Sequence, residues 1–134
     1  MTTIISSIAQ IKEPIYFNRS EKGLHIWMVS TLLQASHGSD IYELSTSQFS
    51  TLLDKDFWFQ DQENPTILNI ARHCRKIIGA NLDSPIILTS SGDLLDGFHR
   101  LARAWLENKT YIKAVKLQSM PAPDFLLPHT YLSK

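Results

Sequence analysis

The strongest pattern of apolar and polar positions lies between residues 85 and 117. Pro85 to Thr89 is an apolar run of strand length, which predicts a central strand, and Tyr111 to Leu117 alternates apolar and polar side chains, which predicts a half-exposed strand. The segment between these strands has helical spacing from about Phe98 to Glu107. The apolar positions that we expect this helix to bury are Phe98, Leu101, Ala102 and Trp105.

The rest of the chain contains weaker signals of the same kinds. The predicted elements are a strand at residues 15–17, a helix at 24–34, a strand at 41–44, a short helix at 46–54 and a helix at 65–79. For the last helix we predict Asn64 as the N-cap, Gly79 as a left-handed C-terminal cap and Cys74 as a buried thiol. The prolines after Met120 predict a tail without regular structure. This order of elements predicts one α+β domain over residues 1–134.

Charge and composition narrow the classes of partner. Thirteen basic and thirteen acidic side chains cancel, so the basic excess typical of proteins that hold duplex DNA through its phosphates is absent. Cys74 is the only cysteine, which excludes an internal disulfide and a zinc site with several thiolates. The segment from Met1 to Gln10 lacks a basic region, so we expect no signal peptide. No apolar run approaches the roughly 20 residues of a membrane span, so we expect no span and, by default, a cytoplasmic location. His25, His37 and His129 are too dispersed to predict a metal site.

Candidate chemistry is concentrated from Asp96 to Arg100, at the start of the predicted 98–107 helix. Gly97 allows another group to approach the first backbone N–H groups of the helix, whose unpaired donors and positive dipole end attract anions. His99, Arg100 and Arg103 fall opposite the apolar stripe. Arg100 can make a bidentate contact to phosphate oxygens, and His99 can add a hydrogen bond and, when protonated, a charge. The segment therefore predicts a site for an anionic group such as a nucleotide phosphate.

Each of these features also has an interpretation without function. Asp96 is a natural helix N-cap, and the two arginines fit an ordinary solvated helix face. The basic cluster from Arg72 to Lys76, on the exposed side of the 65–79 helix, is either another solvated face or a nucleic-acid contact. The aromatic run from Phe57 to Phe59 is typical of core, although a ring exposed beside a phosphate site can stack on a base.

The residues from Pro85 to Val115 resemble the core of the ParB/sulfiredoxin-like domain family. The matching stretches are Pro85 to Leu88, Gly92 to Ala104 and Ile112 to Val115. The resemblance implies a small α+β domain in which a Gly-x-His-Arg turn binds the phosphates of ATP, ADP or CTP with Mg²⁺. It also implies that Gly97, His99 and Arg100 contact phosphate and that Asp96 lies beside the reacting phosphate or its metal. Arg103, on the same basic face of the predicted helix, is a further candidate for ligand binding.

The chain departs from individual branches of this family. Phe98 stands where sulfiredoxins carry their catalytic cysteine, so sulfiredoxin chemistry is not expected. Too few residues follow the motif for the helix-turn-helix region of chromosome-partitioning ParB proteins, whose motif is usually Gly-Glu-Arg-Arg. Asp96 to Arg100 is more similar to the Asp-Gly-x-His-Arg sequence of free-serine kinases, which need a catalytic carboxylate from an earlier segment. Glu43 is our first candidate because its predicted strand should neighbour the site, and Asp54 and Asp56 are the alternatives.

Two functions remain open on these grounds. The first is a nucleotide-binding protein that hydrolyses ATP or phosphorylates a small hydroxyl acceptor, with Glu43 and Asp96 as the catalytic carboxylates. The second is a non-catalytic regulatory or DNA-associated module, with a ParB-like nuclease as a weaker option. A pocket containing one carboxylate favours the first, and a continuous basic stripe joining the two helices favours the second. The stripe would consist of Arg72, Arg75, Lys76, Arg100 and Arg103.

Overall fold

The computed structural model describes residues 14–59 and 65–128, so the segment from Met1 to Gln10, Asn64 and His129 lie outside the described residues. The described chain forms an α+β fold with the following elements. They are β1 (Ile15–Ser20), β2 (Gly23–Met28), α1 (Val29–Ser36), β3 (Tyr42–Ser45), α2 (Ser50–Leu53), α3 (Ile67–Ile78), β4 (Ile86–Leu88), β5 (Leu94–Asp96), α4 (Phe98–Leu106), β6 (Tyr111–Lys116) and β7 (Phe125–Leu127). Short 3₁₀ turns at Thr46–Phe49 and Phe57–Phe59 flank α2. None of the helices within the described ranges has the length and apolar character needed to cross a membrane.

The strands form two sheets, and the larger one carries the centre of the fold. Its order is β3-β6-β4-β5, in which β4 runs parallel to β6 and antiparallel to β5. The smaller antiparallel sheet has the order β1-β2-β7. The predicted central strand at Pro85–Thr89 is therefore confirmed as β4, and the strands predicted at 41–44 and 111–117 are confirmed as β3 and β6.

The apolar run in β4 follows from burial on both of its faces. Ile86 and Leu88 belong to a core cluster with Leu101 and Ala104 of α4, whereas Ile87 packs on the other face with Trp27 of β2 and Leu32 of α1. Because successive side chains of a strand point to opposite faces, a three-residue strand in this position must be apolar throughout.

Two predicted assignments are wrong because tertiary pairing overrides the local pattern. Residues 24–28, expected to begin a helix, form β2, which pairs with β1 on one side and β7 on the other. The helix begins only at Val29, where Asp124 accepts the Met28 N–H at 2.7 Å and the Thr31 hydroxyl at 3.0 Å. The proline-containing tail, expected to be irregular, supplies β7.

The buried faces of the helices differ in part from those predicted, although Leu101 is buried and Phe98 packs against the core as expected. In α4 the buried residues are Leu101 and Ala104, and Trp105 is 65% exposed, because the sheet lies against the Leu101–Ala104 side.

In α3 no residue is fully buried, and Cys74 is exposed instead of lying in the core. Thr66 caps the start of α3, its hydroxyl accepting the Asn69 N–H at 3.1 Å, and Gly79 has a φ of −84°, so it is not a left-handed cap.

Candidate functional site

The turn from β5 into α4 is built around Gly97. Its φ of +110° places it in the left-handed region, which residues other than glycine rarely adopt. A Cβ at this position would lie 2.5 Å from Cγ2 of Ile86 and 3.1 Å from Nη1 of Arg100. The glycine is therefore required both by the backbone conformation and by the buried strand β4 beside it.

The first turn of α4 opens without a side-chain cap. Gly97 is the N-cap residue, and among residues 14–59 and 65–128 no side chain caps the start of the helix. The interpretation of Asp96 as the N-cap is therefore wrong. The backbone N–H groups at the start of the helix have no partner within the helix, so they remain available to an anion.

Asp96 and Arg100 interact across this turn. The Asp96 carboxylate lies 3.5 Å from Nη1 of Arg100, and the same Nη1 donates to the carbonyl oxygen of Pro85 at 3.0 Å. Both side chains retain about a fifth of their exposure, at 18% for Asp96 and 22% for Arg100. The contacts with Asp96 and Pro85 fix the orientation of Arg100. Because a guanidinium has five N–H donors, others remain for a ligand.

His99 is held by aromatic and imidazole neighbours from two other elements. Its Nε2 lies 2.9 Å from Nδ1 of His73 on α3. The Trp58 ring stacks on both imidazoles, with centroid distances of 4.5 Å to each and interplanar angles of 13° to His73 and 10° to His99. The hydrogen bond and the stack fix the ring plane of His99 at the start of α4.

This environment decides the charge of His99. Burial, and after it the nearby His73 and Lys76, lower the pKa of His99 from 6.5 to about 4. The imidazole is therefore neutral at pH 7, and the positive charge that the sequence allowed for His99 is not available there. One ring nitrogen is engaged with His73, so His99 can offer a ligand a neutral hydrogen bond.

A cavity of about 710 Å³ opens in front of this turn. The residues from Asp96 to Arg100 form one wall, and Arg75, Lys76 and Asn81, from α3 and the loop after it, form another. Tyr16, Phe57 and Trp58 contribute aromatic surface to the lining. This volume falls within the range of pockets for small molecules and cofactors.

Phe57 and Trp58, the first two residues of the aromatic run before α3, line the cavity. Phe57 is 38% exposed, and Trp58 and Phe59 are half-buried. Phe57 stacks on Phe98 with a centroid distance of 4.0 Å and an interplanar angle of 7°. Phe57 is therefore exposed beside the cavity, whereas Trp58 and Phe59 are partly buried.

Arg103 does not reach the cavity. Its Nη1 donates to the carbonyl oxygens of Ile78 and, at 2.9 Å, of Ala80, and its Nε donates to Glu107 at 2.6 Å. The guanidinium thus satisfies carbonyl groups at the C-terminal end of α3, which have no partner within the helix. Arg103 therefore links α4 to the end of α3.

Glu43 is also separated from the turn. The expectation that its strand neighbours the site is wrong, because β3 and β5 are the two opposite edges of the four-stranded sheet. Three strand spacings separate them, or about 14 Å. Asp54 and Asp56 are exposed and do not line the cavity. Among the described lining residues, Asp96 is the only carboxylate.

Sequence reasoning missed Arg75, Lys76 and Trp58 as cavity residues. The basic cluster was visible, but nothing in the local pattern connects α3 with a glycine about twenty residues later. Within residues 14–59 and 65–128, no group of three or more His, Cys, Asp or Glu side chains is arranged to hold a metal ion.

The chain was compared with protein-family models, with curated proteins and with solved structures, and none of them matches it.

Proposed function

We propose that this protein binds a nucleoside phosphate, of the ATP, ADP or CTP class, in the cavity between α3 and the β5–α4 turn. The observation that carries the proposal is the uncapped start of α4 at Gly97, which opens into a cavity of nucleotide size. The N–H groups of the first turn would bind phosphate oxygens, with Arg100 oriented beside them.

Cations on α3 support the same assignment. Arg75 and Lys76 of α3 line the same cavity as the turn, and no hydrogen bond or ion pair of their side chains occurs among the described residues. A chain of two or three phosphates extends over several ångströms, so its charge needs cations on more than one wall. Lys76 also lies close enough to His99 to add to the lowering of the His99 pKa by burial.

Mg²⁺ fits this cavity through one carboxylate. Mg²⁺ in nucleotide sites is commonly held by one or two carboxylates together with the phosphates, and Asp96 is the carboxylate that the described lining offers. Phosphoryl transfer, as ATP hydrolysis or as phosphorylation of a small hydroxyl acceptor, would then depend on Asp96 and not on Glu43. The ion itself would neutralise charge on the phosphates.

The nucleic-acid alternative has less support. A continuous basic stripe from α3 to α4 requires Arg103, whose guanidinium is engaged by Ile78, Ala80 and Glu107. Of the other cations, Arg75, Lys76 and Arg100 line a cavity that also contains Asp96, and Arg72 lies outside it. This arrangement favours a small anionic ligand over an extended phosphate backbone.

Calorimetric titration with ATP, ADP, CTP and GTP, with and without Mg²⁺, tests the proposal. Arg75→Ala and Arg100→Ala should each weaken binding about tenfold or more, because each removes a charge-assisted hydrogen bond of about 1.5–3 kcal/mol. Arg72→Ala is the matched control, since Arg72 is exposed on the same helix and does not line the cavity. Equal effects of Arg72→Ala and Arg75→Ala, or no binding of any nucleotide to the wild type, would refute the assignment.

A further inference from the structure

Two hydrogen-bonded imidazoles connect the cavity with helix α3. His99 lines the cavity, and its Nε2 lies 2.9 Å from Nδ1 of His73, which is not among the described lining residues. A neutral pair at this distance needs one ring N–H as donor and one ring lone pair as acceptor. One further proton leaves the hydrogen bond in place, because an imidazolium donates and a neutral imidazole accepts. The pair can therefore hold one positive charge without rearrangement.

The surroundings of the pair oppose this charge in the free protein. The described charged side chains that line the cavity are three cations and one carboxylate, namely Arg75, Lys76, Arg100 and Asp96. The carboxylate lies 3.5 Å from Arg100, which balances part of its charge. Burial is the largest cause of the low His99 pKa of about 4, followed by the nearby His73 and Lys76. Buried beside these cations, the pair is neutral at pH 7.

Trp58 covers both imidazoles. Its ring stacks on each of them with a centroid distance of 4.5 Å. The indole removes water from the neutral rings, which opposes protonation, but its face also attracts a cation that lies within about 6 Å. Lys55 and Asp56, the charged residues that precede the aromatic run, line a second, smaller cavity. A proton that reached the pair would therefore be stabilised by the tryptophan ring.

A phosphate group at the start of α4 would reverse the electrostatic balance. His99 is the second residue of α4, next to the N–H groups that we propose bind phosphate. One negative charge at roughly 6 Å changes the proton-binding constant of an imidazole about a hundredfold at an effective dielectric constant of about 20. A phosphate monoester carries a charge of about −1.5 to −2 at pH 7. A bound phosphate would thus raise the pKa of His99 from about 4 towards its ordinary 6.5.

We propose that the His73–His99 pair takes up one proton when a nucleoside phosphate binds, and that the pair then supplies one more cation to the site. The inference rests on the proposed nucleotide site and adds His73 to it as a positioning residue, which shares the proton with His99. Binding and protonation are coupled free energies, so each strengthens the other. Nucleotide affinity should therefore increase as the pH falls from 7.5 to 6.

Calorimetric titration with ADP and Mg²⁺ at pH 6.5, in two phosphate-free buffers of different ionisation enthalpy, counts the protons taken up. We expect the wild type to take up about half a proton or more per ADP beyond the double variant His73→Gln/His99→Gln. Its affinity should also rise about fourfold more than that of the double variant between pH 7.5 and pH 6. Free ADP titrates identically in both experiments, so its own protons cancel.

His37→Gln is the matched control, since His37 is exposed and does not line this cavity. It should take up protons as the wild type does. Equal uptake by the wild type and the double variant, or an equal loss in His37→Gln, would overturn the proposal and leave the nucleotide site in place. If neither ADP nor pyrophosphate bound the wild type at any of these pH values, the nucleotide site itself would be wrong, and proton uptake with it.

Ring-nitrogen NMR signals of His73 and His99 provide a readout on the wild type alone, should the double variant not fold. Because the proton belongs to the pair, both sets of signals should move together towards the protonated form when ADP is added to saturation at pH 6.5. Ring signals that stay at their neutral positions in the ADP complex would contradict the proposal.

Discussion

Gly97 and Ile86 are in such close contact that the site and the core share one constraint. A Cβ on Gly97 would lie 2.5 Å from Cγ2 and 2.9 Å from Cβ of Ile86, which is fully buried in the central strand β4. The strand therefore fixes the path of the turn that opens α4. Because the chain can follow this path only with a glycine at position 97, the placement of the first N–H groups of α4 depends directly on core packing.

Gly97→Ala should destabilise the protein more than Gly92→Ala. Both glycines have positive φ, at +110° and +97°, so each alanine should cost about 1–2 kcal/mol of backbone strain. A Cβ at Gly92 meets nothing within 4 Å, whereas the clash at Gly97 should add about 1–3 kcal/mol. Urea unfolding of the two variants measures the difference. Equal losses would contradict the close approach of Ile86.

The low pKa of His99 should make stability depend on pH. The folded-state pKa of about 4 lies below the ordinary 6.5, so the unfolded chain binds the proton more readily. The contribution of His99 to the free energy of unfolding is present above pH 6.5 and is lost as the pH falls towards 4. His99→Gln should flatten this decline in unfolding experiments, while His37→Gln, at an exposed position, should keep it. A decline of the same steepness in His99→Gln would show that other groups cause it.

Arg103→Ala should reduce stability and leave nucleotide affinity unchanged. The guanidinium donates to carbonyl groups at the end of α3, and hydrogen bonds that involve a charged group contribute about 1.5–3 kcal/mol each. Thermal unfolding and calorimetric titration on the same variant separate the two effects. A large loss of affinity in a variant that remains folded would show that Arg103 takes part in nucleotide binding.

Asp96→Asn should remove the effect of Mg²⁺ on nucleotide binding. The substitution deletes the only carboxylate of the described cavity lining, so binding with and without Mg²⁺ should become similar, and any nucleotide hydrolysis should fall. Glu43→Gln is the control, since Glu43 lies on the opposite edge of the sheet. If Glu43→Gln reduced hydrolysis and Asp96→Asn did not, the assignment of the carboxylate would be wrong.

The parts of the fold that the sequence predicted correctly are those in which the local pattern and the tertiary environment agree. Residues 86–88 are apolar because both faces of β4 are buried, and β6 alternates because one of its faces is partly exposed. The helix at Phe98–Leu106 was predicted, but the observed buried side includes Ala104 in place of Trp105. Trp105 was expected in the core because it is a large apolar residue. The position of the sheet decides which side of the helix is covered.

The parts that were missed depend on contacts between distant residues. Leu24, Trp27 and Met28 have helical spacing, and only pairing with β1 and β7 makes them a strand. The Asp96–Arg100 turn was evident from its residue types, whereas the positions of Glu43 and Arg75 relative to it depend on sheet order and on the packing of α3. No local pattern carries that information.

The most direct measurement of nucleotide binding is an ¹⁵N–¹H NMR titration of the full chain with ATP and CTP in the presence of Mg²⁺. We predict saturable shifts of the backbone amide signals of Phe98, His99 and Arg100, because their N–H groups would bind phosphate oxygens. Amide signals of β3, on the far edge of the sheet, should stay in place. Unchanged signals at residues 98–100 on addition of excess nucleotide, or shifts confined to other surfaces, would show that the start of α4 does not bind phosphate.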